Sequence, residues 1–249
     1  MKILTLNTWQ KRGPWQERWQ VLLEGLAHLR PDIVGFQELF DSGWAETVRR
    51  AAGYPHLVFS NEKAGLVFLS RYPVLRSSCL VMKTQAPSEE YLRYSLFAEV
   101  DAGGKPLALF NTHLSWRPEE GPIREAQAAE LLADADLKAD GRETLAMGDF
   151  NAAPGTPEIN RMTHGGGFAD IYGCAHPGDP GITWDNAHPY VQMASTVLPD
   201  RRIDFLFARN RRALLGNLVS ARRVYLEPDS RGIFATDHYG VLAEFRTVP

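Results

Sequence analysis

Apolar residues along the chain follow two rhythms. Short unbroken runs, Ile3 to Leu6, Ile33 to Phe36, Leu66 to Leu69, Leu96 to Val100, Leu107 to Phe110, Leu145 to Met147, Ile203 to Phe207 and Val241 to Phe245, have strand length and are bounded by turn residues. Between them a helical period appears. Trp19, Leu22, Leu23 and Leu26 recur after Pro14, whose fixed φ suits a first turn, so the pattern predicts a helix over residues 15 to 29 that ends before Pro31. A second helix is predicted from Ser42 to Ala52 with Gly53 as its stop, and a third carries Ala128, Leu131, Leu132 and Ala135 on one face. Asp101 to Lys105, with two central glycines, reads as a hairpin turn and makes the flanking runs antiparallel. Residues 165–199 are rich in Gly, Pro and polar side chains, and a stretch that long without regular structure tends to be a functional loop region.

Composition adds limits to this picture. Hydrophobic residues make up 44% and charged residues 23% of the 249 positions, enough apolar surface for a core without disulfides. No shift in composition marks a seam, so one domain over residues 1–249 is expected. Cys79 and Cys174 are too few for a disulfide framework and lack the paired spacing of a zinc site. The first residues lack the apolar length of a signal peptide or membrane span, which makes the cytoplasm the expected address, without stable membrane insertion. A net charge of −3 gives no overall field to gather a polyanion, which weighs against duplex DNA. The basic pairs Arg201-Arg202, Arg211-Arg212 and Arg222-Arg223 read as solvated surface.

Candidate chemistry gathers where the apolar runs stop. The first ends in Asn7, the second in Gln37-Glu38, the fifth in Asn111-Thr112-His113 and the sixth in Gly148-Asp149-Phe150-Asn151. Asp204 lies within the seventh, and Asp237-His238 precedes the last. Strands that deliver polar groups to one rim build a site of fixed geometry. Ordinary readings also exist: Glu38 as an exposed acid, Asn7 as a strand-end turn, His113 as a half-buried donor to a carbonyl, Asp149 and Asn151 as an Asx turn, Asp237-His238 as a cap. Asp204 is harder to account for in that way. A carboxylate between Ile203 and Phe205 needs a partner to offset its desolvation.

Six motifs stand in order: Leu6-Asn7-Thr8-Trp9, Gln37-Glu38, Asn111-Thr112-His113-Leu114, Gly148-Asp149-Phe150-Asn151, Arg202-Ile203-Asp204-Phe205 and Thr236-Asp237-His238. Together they resemble the endonuclease/exonuclease/phosphatase superfamily over nearly the whole chain, as does the segment from Gly65 to Pro73. The resemblance implies an α/β (α+β) fold: a four-layer sandwich of two packed, mostly antiparallel mixed β-sheets flanked by helices, with the active site at one edge. His113, where members that repair abasic DNA usually show tyrosine, makes the chain similar to the deoxyribonuclease, sphingomyelinase and inositol phosphatase side. Thr183-Trp184-Asp185-Asn186 is similar to a sphingomyelinase segment, with Trp184 read either as facing substrate or as packing on the sheet edge. The long apolar hairpin of secreted sphingomyelinases has no counterpart here. Asn111, Trp184, Asp185 and Asn186 are the substrate-binding positions this resemblance implies.

Phosphodiester hydrolysis requires neutralisation of an anion that repels hydroxide. Mg²⁺ held by one or two carboxylates suits that task, with Mn²⁺ able to substitute. Glu38 is the expected direct ligand, Asn7 lies beside it, and Asp237 supports the metal or its waters. His238, with an ordinary pKa of ~6.5, is the expected general base, and Asp204 would fix its tautomer. Asp149 and Asn151 would position water or phosphate oxygens, and His113 would donate to a phosphate oxygen or help the leaving oxygen depart. An alternative assigns water activation to Asp149 and leaves His238 to stabilise the transition state. The expected activity is a metal-dependent phosphodiesterase acting on a small molecule, lipid headgroup or nucleic acid, without an obligate protein partner. The alternative is a DNA or RNA nuclease using Trp9, Trp15, Trp19, Trp116, Arg117 and Arg124 as a groove. A non-catalytic binding module is disfavoured by the intact acids.

Overall fold

The computed structural model of the chain describes residues 1–194, 197–209 and 214–246. Its elements are β1 (Lys2–Asn7), α1 (Trp15–Leu29), β2 (Ile33–Gln37), α2 (Ser42–Ala51), β3 (His56–Phe59), β4 (Val67–Ser70), β5 (Val74–Val81), β6 (Tyr94–Asp101), β7 (Pro106–His113), α3 (Gly121–Ala139), β8 (Thr144–Asp149), α4 (Pro157–Asn160), β9 (Ala169–Asp170), α5 (Ile171–Ala175), β10 (Asp204–Arg209), β11 (Leu218–Val224) and β12 (Gly240–Phe245). The three long helices and the strands expected from the apolar runs are all present, within a few residues of their expected ends. The turn after Asp101 joins β6 to β7 as an antiparallel hairpin, closed by Ala102 N–H donating to the Lys105 carbonyl at 2.9 Å.

Two six-stranded mixed sheets form, ordered β11, β12, β1, β2, β4, β3 and β5, β6, β7, β8, β10, β9. Each contains one parallel pair, β1 with β2 and β7 with β8, and the remaining pairings are antiparallel. A parallel pair needs a crossover, and α1 and α3 supply the two. The sheets pack face to face over Ile3, Ile33, Phe68, Leu96, Leu109, Met147 and Leu206. Outside the first sheet, Trp19, Leu22 and Leu26 of α1 and Val48 of α2 cover Leu4, Leu6, Val34 and Phe36. Outside the second, Ala128, Leu131 and Ala135 of α3 cover Phe97, Phe110 and Phe207. The four-layer sandwich follows, and it explains why β1 and β2 read as continuous apolar runs: both their faces are buried.

Strands β3, β5, β9 and β11 escape the apolar-run pattern, and they are the four outermost strands of the two sheets. An edge strand has less covered surface to satisfy; β5 leaves most of its length exposed and carries Arg76, Ser77 and Ser78. Beyond the end of the helical turn Arg161–Gly165, residues 166–199 contain only β9, α5 and a short turn of 3₁₀ helix among the described residues. The basic pairs divide. Arg222 is solvated, but Arg223 is half-buried and donates to the Ile182 carbonyl at 2.8 Å, Arg202 is 4% exposed and bound to Asp170 at 2.7 Å, and Arg201 is half-buried, so the solvated-surface expectation is corrected for these three. Arg211 and Arg212 lie outside the described residues. No helix of the described residues is long and apolar enough to cross a membrane.

Candidate active site

The parallel pairs decide where the polar residues emerge. Register sets Asn7 beside Gln37 at the ends of β1 and β2, so Asn7 and Glu38 leave the first sheet at one edge. In the second sheet His113 stands opposite Asp149 in the parallel pair, and antiparallel β10 places Asp204 opposite Asp149 from the other side. The loop before β12 brings in Asp237 and His238. Asn7, Glu38, His113, Asp149, Asn151, Trp184, Asp237 and His238 line one cavity of about 590 Å³.

Backbone strain concentrates there. Trp9, Gln10, Glu38 and Asn151 all adopt positive φ between 50° and 61°, a conformation unfavourable for side chains with a Cβ and retained where the surroundings over-determine it. Arg18 does much of that. Buried to 1% exposure, its guanidinium donates to the carbonyls of Thr8, Trp9, Gln10, Arg12 and Ala235 and lies over the Trp9 ring at 4.7 Å. It thereby ties the loop after Asn7 to the loop before Asp237.

Asp149 is the hub. Its Oδ2 accepts from Asn7 Nδ2 at 3.0 Å and lies 3.4 Å from His113 Nε2 and 3.9 Å from His238 Nε2, while Oδ1 accepts from the Asn151 N–H at 2.9 Å. Burial and the negative charge of Asp204 push its carboxyl up to about 7. The expected Asp204–His238 couple is present, with His238 Nδ1 donating to Asp204 Oδ2 at 2.9 Å. Burial opposes a charge on His238, but Asp204, Asp237 and Asp149 outweigh it and raise the imidazole to about 10. The direction favours the imidazolium over the neutral base expected from the sequence. Burial, together with Arg93 and His238, holds His113 well below its usual range, in the neutral form.

Glu38 Oε1 accepts from Asn7 Nδ2 at 3.3 Å. Burial, with the charge of Glu38 adding and that of His238 opposing, pushes Asp237 up to about 6. Two carboxylates close enough to repel make an all-oxygen donor set that fits a hard divalent cation, while the Asn7 amide beside them turns its NH₂ to Glu38 and Asp149 and accepts from the Trp9 N–H at 3.0 Å. Asp149, Asp204 and His238 also offer ligand atoms within 4.8 Å of one another, although Asp204 Oδ2 and His238 Nδ1 are already bonded to each other.

Three expected substrate contacts lie elsewhere. Asn111 is fully buried between the sheets, accepting from Gln37 Nε2 at 2.7 Å and donating to the carbonyls of Phe36 and Val67, so it clasps the sheets beneath the site. Asp185 accepts from the Ala187 N–H at 2.8 Å, and Asn186 donates to the Leu198 carbonyl and Asp200, both at 2.7 Å. These two shape the loop instead of lining the cavity. Trp184 lines the cavity and packs edge-on against His238 at 5.1 Å. Of the suggested groove, Trp9, Trp116 and Arg117 line the cavity. Trp19 is in the core, Trp15 packs on Trp44, and Arg124 is buried against Glu158 at 2.8 Å. Sequence reasoning missed Arg93, Tyr190 and Arg201 as cavity residues; the one available signal was the doubled arginine just before Ile203-Asp204.

His188, 1% exposed, sits among Tyr190, Phe234 and Tyr239 beneath this cavity, with its Nδ1 accepting from the Tyr190 N–H at 3.1 Å. Burial and the neighbouring His238 lower it to about 4. Between its ordinary ~6.5 and that value the unfolded chain binds a proton that the folded chain refuses, so stability falls as pH falls through this window. Thermal unfolding of His188→Gln is expected to show a shallower acid-side decline than the parent; parallel declines would contradict this.

The model of the Endonuclease/Exonuclease/phosphatase family matches residues 4–238. Tyrosyl-DNA phosphodiesterase 2 of Mus musculus is 26% identical over 244 residues, which cover 93% of this chain and 62% of that protein. The probable RNA exonuclease NGL3 of Saccharomyces cerevisiae is 26% identical over 200 residues, covering 66% of this chain and 40% of the yeast protein. This chain thus spans less than two thirds of either relative. The crystal structure of D. rerio TDP2 complexed with a single-strand DNA product superposes with a TM-score of 0.80 at 19% identity, covering 99% of both chains. Order of motifs, fold and the family match agree, and the chain belongs to the Endonuclease/Exonuclease/phosphatase family.

Proposed function

We propose that residues 1–249 form one catalytic domain that hydrolyses phosphodiester bonds with Mg²⁺, or Mn²⁺ in its place. The observation that carries this reading is the convergence of Asn7, Glu38, His113, Asp149, Asp237 and His238 on one cavity, with Asp204 directly behind His238. Glu38 and Asp237, with Asn7, would hold the cation, which supplies charge neutralisation at the phosphate oxygens. Asp149, tuned to about 7, accepts the proton of the attacking water, a task for which a base near the working pH is best suited. His238, held as an imidazolium by Asp204, stabilises the growing negative charge through Nε2. His113, neutral, donates its Nε2 proton to a phosphate oxygen, and Asn151 keeps Asp149 oriented through its N–H. A cytoplasmic site of action, without membrane insertion, belongs to the same reading.

Hydrolysis of bis(p-nitrophenyl) phosphate with Mg²⁺, Mn²⁺, Ca²⁺ or chelator tests the proposal, and absence of metal-dependent turnover would end it. In Glu38→Gln the metal activation curve is expected to move to at least about tenfold higher concentration. An unchanged titration would remove Glu38 from the metal.

A nucleic-acid substrate is the second reading, favoured by the rim. Trp9 stacks on Tyr190 with centroids 4.9 Å apart, and Trp116, Arg12 and Arg117 line the same cavity, a combination suited to a single strand. The names of the two relatives, a tyrosyl-DNA phosphodiesterase and a probable RNA exonuclease, point the same way. Salt-dependent cleavage of a single-stranded oligonucleotide supports it; turnover confined to sphingomyelin or inositol phosphates opposes it.

A further inference from the structure

Arg201 is a cation fixed beside the candidate active site with no salt-bridge partner among the described residues. Its backbone is pinned to Trp184 in both directions: Arg201 N–H donates to the Trp184 carbonyl at 3.0 Å and the Trp184 N–H donates back at 2.9 Å. Trp184 in turn packs on His238. The side chain lines the cavity and feels the charge of Asp149, though no salt bridge joins them. Among the described residues, Nε and Nη2 are withdrawn from solvent and have no hydrogen-bond partner. Those two atoms form one edge of the guanidinium, the edge that meets carboxylate or phosphate in a two-pronged bond. A guanidinium stays charged in proteins, so leaving that edge unsatisfied is costly until an acceptor arrives.

We propose that Arg201 receives a phosphate oxygen of the substrate on its Nε–Nη2 edge, turned into the cavity by rotation about its terminal torsions. This rests on the phosphodiesterase reading above. The phosphate is either the scissile one or its neighbour along a strand, and substrate choice separates the two. Arg201→Met, Arg201→Lys and, as a charge-matched control on the exposed face of β11, Arg222→Met are compared with the parent on bis(p-nitrophenyl) phosphate and on a trinucleotide, with inorganic phosphate as inhibitor. In Arg201→Met the inhibition constant of inorganic phosphate is expected to rise and kcat/KM to fall, each about tenfold or more, with Arg201→Lys between and Arg222→Met unchanged. Loss on both substrates assigns the contact to the scissile phosphate; loss on the trinucleotide alone assigns it to the neighbour. Parent-like values in Arg201→Met on both substrates overturn the proposal. If the parent turns over neither substrate, the phosphodiesterase reading fails by itself. The phosphate-dependent rise in melting temperature then still tests Arg201: its loss in Arg201→Met or Arg201→Lys supports the contact, and its retention overturns it.

Discussion

His238→Ala is expected to lower turnover of a phosphodiester by at least about a hundredfold, the low end of what removing one donor aimed at the developing transition-state charge costs. It is also expected to destabilise the fold by about 3 kcal/mol, because it strips from a carboxylate with no exposure the only hydrogen-bonded partner its side chain has among the described residues. Asp204 Oδ1 already lacks a donor, so no second group shares that load among the described residues. The two losses have different causes and separate in the double variant. Asp204→Ala combined with His238→Ala removes both charges, and part of the stability is expected to return while turnover does not. Equal stability of the single and double variants in urea unfolding would mean that the couple is not an ion pair. Near-parent turnover in His238→Ala would take the residue out of the mechanism.

Gly148→Ala is expected to have the largest effect on folding. Gly148 has φ of 145°, and a Cβ added there would lie 2.0 Å from the Thr112 carbonyl oxygen. That oxygen belongs to the backbone of β7 in the parallel ladder that pairs Thr112 with Gly148 and His113 with Asp149. Relief therefore requires the strands to part at the residues that present the site. A cost of at least about 4 kcal/mol follows, in the range reserved for core disruption, together with loss of activity. Gly155→Ala is the control: φ there is 85° but nothing lies within 4 Å of the added carbon, so only the conformational cost of about 1 kcal/mol applies. Comparable melting temperatures for the two variants would remove the close approach of β7 and β8 as a constraint.

The behaviour of His238 and Asp149 shows how far a motif carries. Both residues are legible as candidates because they stand where apolar runs stop. Their protonation states are not, since these depend on three carboxylates brought together from β8, β10 and the loop before β12. Burial and the Asp204 charge raise Asp149, and the surrounding carboxylates outweigh burial to raise His238. The proposed function therefore takes the second of the two assignments weighed from the sequence, water activation by Asp149 with His238 stabilising the transition state.

Sequence by itself determined the central strands, the three long helices and the order of the motifs, because strands and helices buried on their inner faces must repeat apolar residues at their own period. It also determined which side chains could do chemistry at the strand ends. Tertiary structure alone decided the rest. Of the four edge strands, β5 is largely exposed and β9 is only two residues long, so neither leaves a continuous apolar run to read. Asn111, in a motif yet buried between the sheets, and Arg201, outside the motifs as first read yet facing the cavity, exchanged roles through strand register and a single bridge to Trp184. Neighbours in space, not in sequence, set burial and charge, and those set what each polar group can do.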